Sequence, residues 1–250
     1  MSKAIVVAAL SVVACGGPTL RANVPYDERF AATRLDLWLP PSTGALRPAV
    51  LYVHGGAWHA GSKELEAGPA ETLAASGFVV ASIDYRLVPE ARYPAAIQDA
   101  WCALAFVRAH AAELEVAPDR IAAMGYSAGG HLASLLGVAA DVREQQPDCA
   151  AGRTGRVAAV VSDAGVYDLR DFPHDGSIVG FLGAELADAP ARWEAASAAL
   201  LLGARVAVAC RVIVTPSLGL DYRVDLDPAR HVGAIGRAGF AYGATVGWLF

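Results

Sequence analysis

The stretch Ile121–Leu136, IAAMGYSAGGHLASLL, constrains the fold of this 250-residue chain more than any other. Arg120–Met124 is a short apolar run that ends at Gly125, and Ala128–Leu136 then carries small and apolar residues at helical spacing. The stretch therefore predicts a strand, a sharp turn and a helix. Ser127 stands at the turn.

This turn carries the pattern GxSxG, with glycines at positions 125 and 129 around Ser127. A tight strand-to-helix turn brings the flanking backbones close together, which glycine permits, and it exposes the serine hydroxyl above the sheet edge. The amide of Ala128 begins the helix and points towards any oxyanion that forms there. Ser127 is therefore a candidate nucleophile. The alternative is an ordinary glycine-rich connection in a chain with 25 glycines.

A second motif, HGGAW at His54–Trp58, directly follows the wholly apolar run Ala49–Val53, which predicts a central strand. Two adjacent glycines after a buried strand let the backbone turn its amides towards one point. We expect Gly56 and Ala57 to donate to an oxyanion together with Ala128. We expect the other members of the motif to line the substrate pocket: His54, Gly55 and Trp58.

Strands and helices alternate around these motifs, which indicates a parallel, doubly wound sheet. The predicted strands are Arg34–Leu39, Phe78–Ile83, Val157–Ser162 and Val206–Val214, and the predicted helices include Glu64–Ser76 and Ala95–Ala111. An apolar share of 55% and a charged share of 18% suit a sheet covered on both faces. We predict one α/β domain over residues 34–250, with helices flanking a mostly parallel sheet and a cap at residues 168–195.

Charge and composition limit the kinds of partner that we expect this chain to bind. The net charge of −5 comes without a basic cluster, so we expect no nucleic acid partner. We see no His, Cys or acid cluster with ligand spacing and expect no metal and no cofactor. The apolar stretch Ala195–Val214 is interrupted by Arg205 and Arg211, which argues against a membrane span.

The N-terminus has the layout of an export signal. A short positive segment precedes the apolar run Ala4–Ala14, which is too short to span a bilayer, and Cys15 follows. The end of the run resembles a bacterial lipobox, which implies lipidation of Cys15, membrane attachment through that lipid, and location in the cell envelope or secretion. A buried first strand in a cytoplasmic protein is the alternative. Residues 16–33 are polar and predict an exposed lead-in.

Three cysteines follow this segment: Cys102, Cys149 and Cys210. In an oxidising compartment two of them can pair. We expect Cys102 to pair with Cys149, because Cys149 lies in a polar loop that is free to move.

A candidate triad acid follows the late strand that ends near Val214. Asp221 stands just past it, where an acid can reach under a histidine from the same sheet edge, and Asp225 is the reserve candidate. A turn-forming aspartate is the alternative interpretation.

Taken together, HGGAW, DYRLVPEARYPAAIQDA, GYSAGG and DYRV resemble the serine esterases of the α/β-hydrolase fold. The most similar types are the hormone-sensitive-lipase-like and feruloyl-esterase-like carboxylesterases. The resemblance runs from about Leu35 to Leu136 and thins afterwards. It implies a triad in the order serine, aspartate, histidine, with the histidine in a loop after the last strand.

The histidine is where this sequence departs from the family pattern. Ala241–Phe250 looks like the last strand, and the sequence stops there, so we expect a chain truncated before the catalytic histidine. His231 is the only histidine after Asp221, in a segment that predicts a helix, Pro228–Arg237. It is retained as the candidate base.

Three functions stay open at this point. The first is a serine carboxylesterase that cleaves small carboxylic esters through an acyl-enzyme on Ser127. The second is a catalytically impaired hydrolase-fold protein, or a fragment, that binds ligands in the pocket. The third is an amidase similar to the arylformamidases, which carry a similar HGG-plus-Trp loop. The sequence does not determine the oligomeric state.

Overall fold

An eight-stranded mixed sheet forms the centre of the structure, a computed structural model that describes residues 16–152, 154–203, 212–216 and 244–249. In chain order the strands are β1 (Thr19–Pro25), β2 (Arg34–Leu39), β3 (Arg47–Val53), β4 (Val79–Ile83), β5 (Val116–Tyr126), β6 (Ala159–Asp163), β7 (Val212–Pro216) and β8 (Ala244–Leu249). Their order across the sheet is β1-β2-β4-β3-β5-β6-β8-β7.

The four central strands, β4, β3, β5 and β6, are parallel, and the strands on either side pair antiparallel. Parallel pairing puts the carboxyl ends of the central strands on one edge of the sheet, where ligands bind in open α/β sheets. Val53, Ile83, Tyr126 and Asp163 end these strands. The predicted α/β-hydrolase architecture, a largely parallel sheet between helices, is confirmed.

The helices cover both faces of the sheet. They are α1 (Ala67–Ala75), α2 (Ala95–Ala109), α3 (Ala128–Val138), α4 (Gly176–Leu182), α5 (Pro190–Ala196) and α6 (Ala198–Gly203). The alternating residues of β3 show the two layers: Val50 and Tyr52 pack with α1 in one apolar cluster, whereas Leu51 and Val53 belong to the larger cluster with α2 and α3. Because β3 is buried on both faces, its sequence is a continuous apolar run rather than an alternation.

The lead-in predicted for residues 16–33 needs a correction. Residues 19–25 form the edge strand β1, paired antiparallel with β2, and the turn that follows buries Tyr26, Asp27 and Thr33. The hydroxyl of Tyr26 donates to the carbonyl of Asp84. The strand escaped prediction because its residues are mostly exposed, as edge strands allow, and show no apolar alternation.

Cys102 of α2 and Cys149 form a disulfide, which confirms the expected pairing. The bond ties the loop after α3 to α2 across 47 residues of sequence. Cys210 lies outside the described residues.

The predicted cap, residues 168–195, contains a short 3₁₀ turn, Leu169–Asp171, followed by α4 and most of α5. Asp175 caps α4 by accepting hydrogen bonds from the amides of Ser177 and Ile178, and Gly183 ends it in a left-handed conformation. Among the helices described, none is long and apolar enough to cross a membrane.

Candidate active site

Ser127 stands at a sharp turn between β5 and α3 and has a strained backbone. Its φ of 53° and ψ of −117° lie in a region that residues other than glycine rarely adopt. The strain is held by hydrogen bonds on both sides: the Ser127 amide donates to the carbonyl of Asp163 at the end of β6, and the Ser127 carbonyl accepts from the amide of His131. The side chain is half-buried, so the hydroxyl stays within reach of a ligand.

The glycines of GxSxG are required by close backbone approach. A Cβ added to Gly129 would lie 2.0 Å from the carbonyl oxygen of Val53, and one added to Gly125 would lie 2.4 Å from the carbonyl carbon of Gly129. Neither position has room for a side chain. The motif therefore has the structural reason predicted for it, since strand, turn and helix can meet only without these Cβ atoms.

The HGGAW segment follows β3 on the same sheet edge, next to the serine. A Cβ on Gly55 would lie 2.9 Å from the carbonyl oxygen of Tyr126 and 3.5 Å from the Cβ of Ser127. The predicted oxyanion loop, residues 55–60, and the predicted nucleophile Ser127 thus lie next to each other. Ala128, whose amide is the third predicted donor, opens α3 directly after the serine.

Three successive residues of this loop have positive φ angles, and the two that carry side chains, Ala57 and Trp58, are strained. Gly56 has a φ of 118°, Ala57 of 53° and Trp58 of 62°. A left-handed conformation costs a residue with a side chain about 1–2 kcal/mol, so contacts elsewhere must hold it. Amides of His59 and Ala60 both donate to the Gly56 carbonyl at 3.0 Å. In this conformation Gly56 is exposed and Ala57 half-exposed, as donors to a ligand need to be.

Trp58 is packed beneath the loop rather than displayed in a pocket. It is 3% exposed, its ring is stacked on Phe181 of α4 at 4.5 Å between ring centroids, and its edge meets His131 at 5.2 Å. The amide of Val88 donates to its carbonyl at 2.9 Å. His54 and Gly55, the other predicted pocket residues, are buried as well. His54 also lines a cavity beside the loop, together with Tyr85 and Arg86.

His54 has the geometry of a structural residue. Its Nδ1 lies 2.6 Å from the carbonyl oxygen of Gly55, and because a carbonyl only accepts, Nδ1 carries the proton. Its ring is stacked on Tyr85 at 4.3 Å, and the Tyr85 hydroxyl donates to the His54 carbonyl. Burial lowers the pKa of His54, which keeps the ring neutral. These bonds fix the end of β3 from which the oxyanion loop starts.

His131 is also packed away from the serine hydroxyl. It is fully buried on α3, and its Nε2 donates to the carbonyl of Ala196 at 2.8 Å. Burial lowers its pKa to about 4. His59, His110 and His174 are exposed, and none of the described residues hydrogen bonds the Ser127 hydroxyl. None of the described histidines therefore forms the serine–base hydrogen bond.

The remaining predicted site residues, Asp221, its reserve Asp225 and His231, lie outside the described residues, as does the predicted helix Pro228–Arg237. In the described ranges no group of three or more His, Cys, Asp or Glu side chains could hold a metal ion.

Two residues of the site were not predicted from sequence. Phe181 stacks on Trp58, and His59 approaches the carbonyl of Ser177 through its Nε2 at 3.1 Å. Both contacts link the oxyanion loop to α4, which lies more than 100 residues later in the chain. The aspartate before GSIVGFL predicts the start of a helix, but the sequence of that helix does not indicate that it contacts the HGGAW segment.

Tyr126 precedes Ser127 and is 53% exposed, which makes it one of the few large apolar side chains that the described part of the chain leaves open to solvent. Its ring lies over Gly55, on the rim of the same sheet edge. A ring in this place can contact a ligand bound at Ser127.

Comparison with known proteins agrees with this geometry. The family model described as BD-FAE matches residues 35–209. The probable carboxylic ester hydrolase LipM of Mycobacterium tuberculosis is 39% identical over 159 residues, which are 61% of this chain and 36% of LipM. The chain thus spans little more than a third of this relative.

Solved esterase structures share the fold. A truncated carbohydrate esterase from gut microbiota has a TM-score of 0.63 and 26% identity, covering 73% of this chain and 72% of that one. The thermophilic esterase Est2 of Thermogutta terrifontis has a TM-score of 0.59 and 27% identity, covering 74% of this chain and 66% of that one. The turn at Ser127 and the loop beside it lie on the sheet edge where ligands bind, and the family model matches most of this chain, so the chain belongs to the BD-FAE family and has the fold of its esterase neighbours.

Proposed function

We propose that this chain is a serine ester hydrolase that cleaves small carboxylic esters through an acyl-enzyme on Ser127. The observation that carries the proposal is the juxtaposition of a strained, accessible serine with a strained glycine loop, Gly55 lying against Ser127. Backbone strain of this kind clusters at active sites, and a serine hydroxyl beside the amides of an exposed loop is the arrangement that acyl transfer needs.

Acylation follows from these positions. The Ser127 oxygen attacks the carbonyl carbon of the ester while a general base takes the hydroxyl proton. The carbonyl oxygen becomes an oxyanion, which the amides of Gly56, Ala57 and Ala128 stabilise. The intermediate then collapses, the bond to the alkoxy oxygen breaks, and the alcohol leaves with the proton from the base.

Deacylation repeats the steps with water. The base removes a proton from a water molecule, the resulting hydroxide attacks the acyl carbon, and the same amides hold the second oxyanion until the acid leaves and Ser127 regains its proton. For the base we propose His231, oriented by Asp221, because it is the histidine that follows Asp221 in the sequence, which keeps the family order of serine, acid and histidine. Asp225 remains the reserve acid.

The names of similar proteins favour an ester over other acyl substrates. LipM is named a probable carboxylic ester hydrolase, and the truncated gut enzyme is named a carbohydrate esterase. The described surface beside Ser127 carries the exposed ring of Tyr126, which offers an apolar contact to a ligand. A short, uncharged acyl ester fits this surface.

Hydrolysis of p-nitrophenyl acetate and butyrate by the purified chain tests the proposal, with Ser127→Ala as the control. We expect turnover in the wild type and a loss on the order of 10⁶ in kcat in the variant, as removal of a triad serine produces. Equal, near-background rates in both proteins would instead indicate an impaired hydrolase-fold protein. A faster reaction with a matched anilide would point to an amidase.

We also propose that the protein is exported and attached to a membrane through a lipid on Cys15. The Cys102–Cys149 disulfide supports export, since such bonds persist in oxidising compartments. Metabolic labelling with a fatty acid, followed by fractionation of the host cells, tests it. We expect label in the wild type and none in Cys15→Ser; unlabelled wild-type protein in the cytoplasmic fraction would contradict it.

A further inference from the structure

The oxyanion loop is held mainly by contacts from outside itself. Three successive residues have positive φ angles, and the two hydrogen bonds within the loop fix the Gly56 carbonyl. Because the Gly56 carbonyl and the Ala57 amide share one peptide plane, these bonds tie the direction of the Ala57 amide to the position of residues 59 and 60. Trp58 and His59 directly follow Ala57, and both are in contact with α4.

The first contact is the stack of Trp58 on Phe181. The rings are nearly parallel, with an interplanar angle of 13°, and Phe181 is 1% exposed. The ring of His131 meets both at right angles, so Trp58 is fixed between α3 and α4. Rotation of the Trp58 side chain would require all three rings to move together, because aromatic cores are closely packed.

The second contact involves His59 at the surface. Its Nε2 donates to the carbonyl of Ser177, and its ring lies so close to Gly180 that an added Cβ there would be 2.9 Å from the ring. Ser177, Gly180 and Phe181 are spaced by three and four residues and therefore share one face of α4. One helical face thus touches the loop on both Trp58 and His59.

The helix that carries this face is anchored at its far end. The amide of Tyr93 donates to the Phe181 carbonyl at 2.8 Å, and Arg192 donates to the carbonyl of Leu182. The side chain of Arg92 lies against Gly183, which ends the helix. Because α4 is fixed to other parts of the domain, its contacts can hold the loop in a strained conformation.

We propose that Phe181 and His59 are positioning residues that hold the amides of Gly56 and Ala57 at the oxyanion. This rests on the proposed ester hydrolysis. Neither residue touches the substrate; each acts through the loop, and the effect is expected in the transition state, where the oxyanion develops. Loss of either residue should therefore lower kcat and leave KM nearly unchanged.

The test compares Phe181→Leu and His59→Ala with wild type in p-nitrophenyl butyrate hydrolysis. We expect kcat to fall by about 10- to 100-fold in Phe181→Leu, since small displacements of catalytic groups have effects of this size. His59→Ala should lose about three- to tenfold, and His59→Gln, whose amide can still donate to Ser177, should recover most of that loss. KM should stay within about twofold throughout.

A similar pair of rings provides the control. Phe106 and His110 are in ring contact at 4.1 Å at the far end of α2, so Phe106→Leu and His110→Ala make the same chemical changes away from the loop. Both should keep wild-type kcat. If Phe181→Leu does not fold, the surface variants of His59 decide the matter.

Three outcomes would overturn the proposal. One is a wild-type kcat in His59→Ala, and another is a loss in His59→Ala that His59→Gln shares in full. The third is a loss that appears in KM instead of kcat. An inactive wild type would refute the proposed function and this inference with it, whereas an active wild type with unchanged variants would refute the inference alone.

Discussion

The two halves of the site, the nucleophile turn and the oxyanion loop, are both strained, but they are held in different ways. Ser127 is fixed by backbone contacts, because Gly125 and Gly129 let β5 and α3 approach β3 with no room for a Cβ. The oxyanion loop is fixed by side chains that come from elsewhere in the chain, Phe181 above all. The turn at Ser127 requires residues without a side chain, whereas the loop requires side chains supplied by the distant helix α4.

This difference determines how each half should respond to mutation. A turn held by backbone approach should tolerate no added atoms, and its disruption should affect folding and activity together. Where a loop is held by side-chain packing, substitution of the packing residues should leave the protein folded but lower its activity. The predictions below separate these responses, in order of decreasing effect.

The largest effect is expected at the base of the segment that supports the oxyanion loop. Asp99 is 1% exposed and accepts hydrogen bonds from the side chain and the amide of Arg86. Arg86 lies two residues before Val88, whose amide donates to the Trp58 carbonyl. Asp99→Ala removes the carboxylate partner of the partly buried Arg86 guanidinium and should reduce the free energy of unfolding by about 3–5 kcal/mol. Urea denaturation measures it. Glu113→Ala, which breaks an exposed pair with Arg21, is the control and should change it by less than about 1 kcal/mol.

The nucleophile turn should be broken by a single methyl group. In Gly129→Ala the new Cβ would meet the Val53 carbonyl oxygen at 2.0 Å, and overpacking should lower the free energy of unfolding by about 3 kcal/mol. Activity should be lost with it. Gly68→Ala adds the same methyl in open space on α1 and should be neutral or stabilising. Equal stability of the two variants would contradict the close approach.

The sharp turn at Ser127 could be predicted because its sequence signal is local: GxSxG lies between an apolar run and a helical pattern, and Gly125 closely approaches Gly129 four residues later. The bounds of β2 were predicted correctly for the same reason, since Arg34–Leu39 alternates along its own length. The contact of α4 with the loop joins Phe181 to Trp58, which lie more than 100 residues apart. The sequence around either residue does not indicate that the two make contact. The edge strand β1 escaped because exposed strands need no apolar face.

A pH dependence of stability should arise from His131, which packs against the Trp58 that supports the loop. Burial lowers its pKa from 6.5 to about 4, so the unfolded chain binds the proton more readily as the pH falls below 6.5. Its contribution to stability is therefore complete above pH 6.5 and is lost between 6.5 and about 4. We expect a loss of about 2 kcal/mol at pH 5 relative to pH 7.

Comparison with His131→Gln isolates this effect, since glutamine can still donate to the Ala196 carbonyl. The variant should show a flatter dependence of the free energy of unfolding on pH, measured by urea denaturation between pH 5 and 7. Parallel curves for the two proteins would mean that His131 has the same pKa in the folded and the unfolded chain, which would contradict the prediction.

The smallest effect is expected where the loop begins. Tyr85→Phe removes the hydrogen bond to the His54 carbonyl but keeps the ring stack, so it should cost about 1 kcal/mol. The loss should fall on stability, measured by thermal denaturation, with kcat nearly unchanged. A large fall in kcat without a fall in stability would place Tyr85 with Phe181 among the residues that position the amides.

The central claim, that Ser127 attacks the ester at a site completed by the oxyanion loop, is tested most directly by trapping the covalent intermediate. The chain is mixed with p-nitrophenyl butyrate, quenched with acid during the first turnover, digested, and analysed by mass spectrometry. We predict a butyryl group on Ser127 in the wild type, none in Ser127→Ala, and slower formation in Phe181→Leu. Hydrolysis without an adduct on Ser127, at a rate that Ser127→Ala shares, would contradict the account.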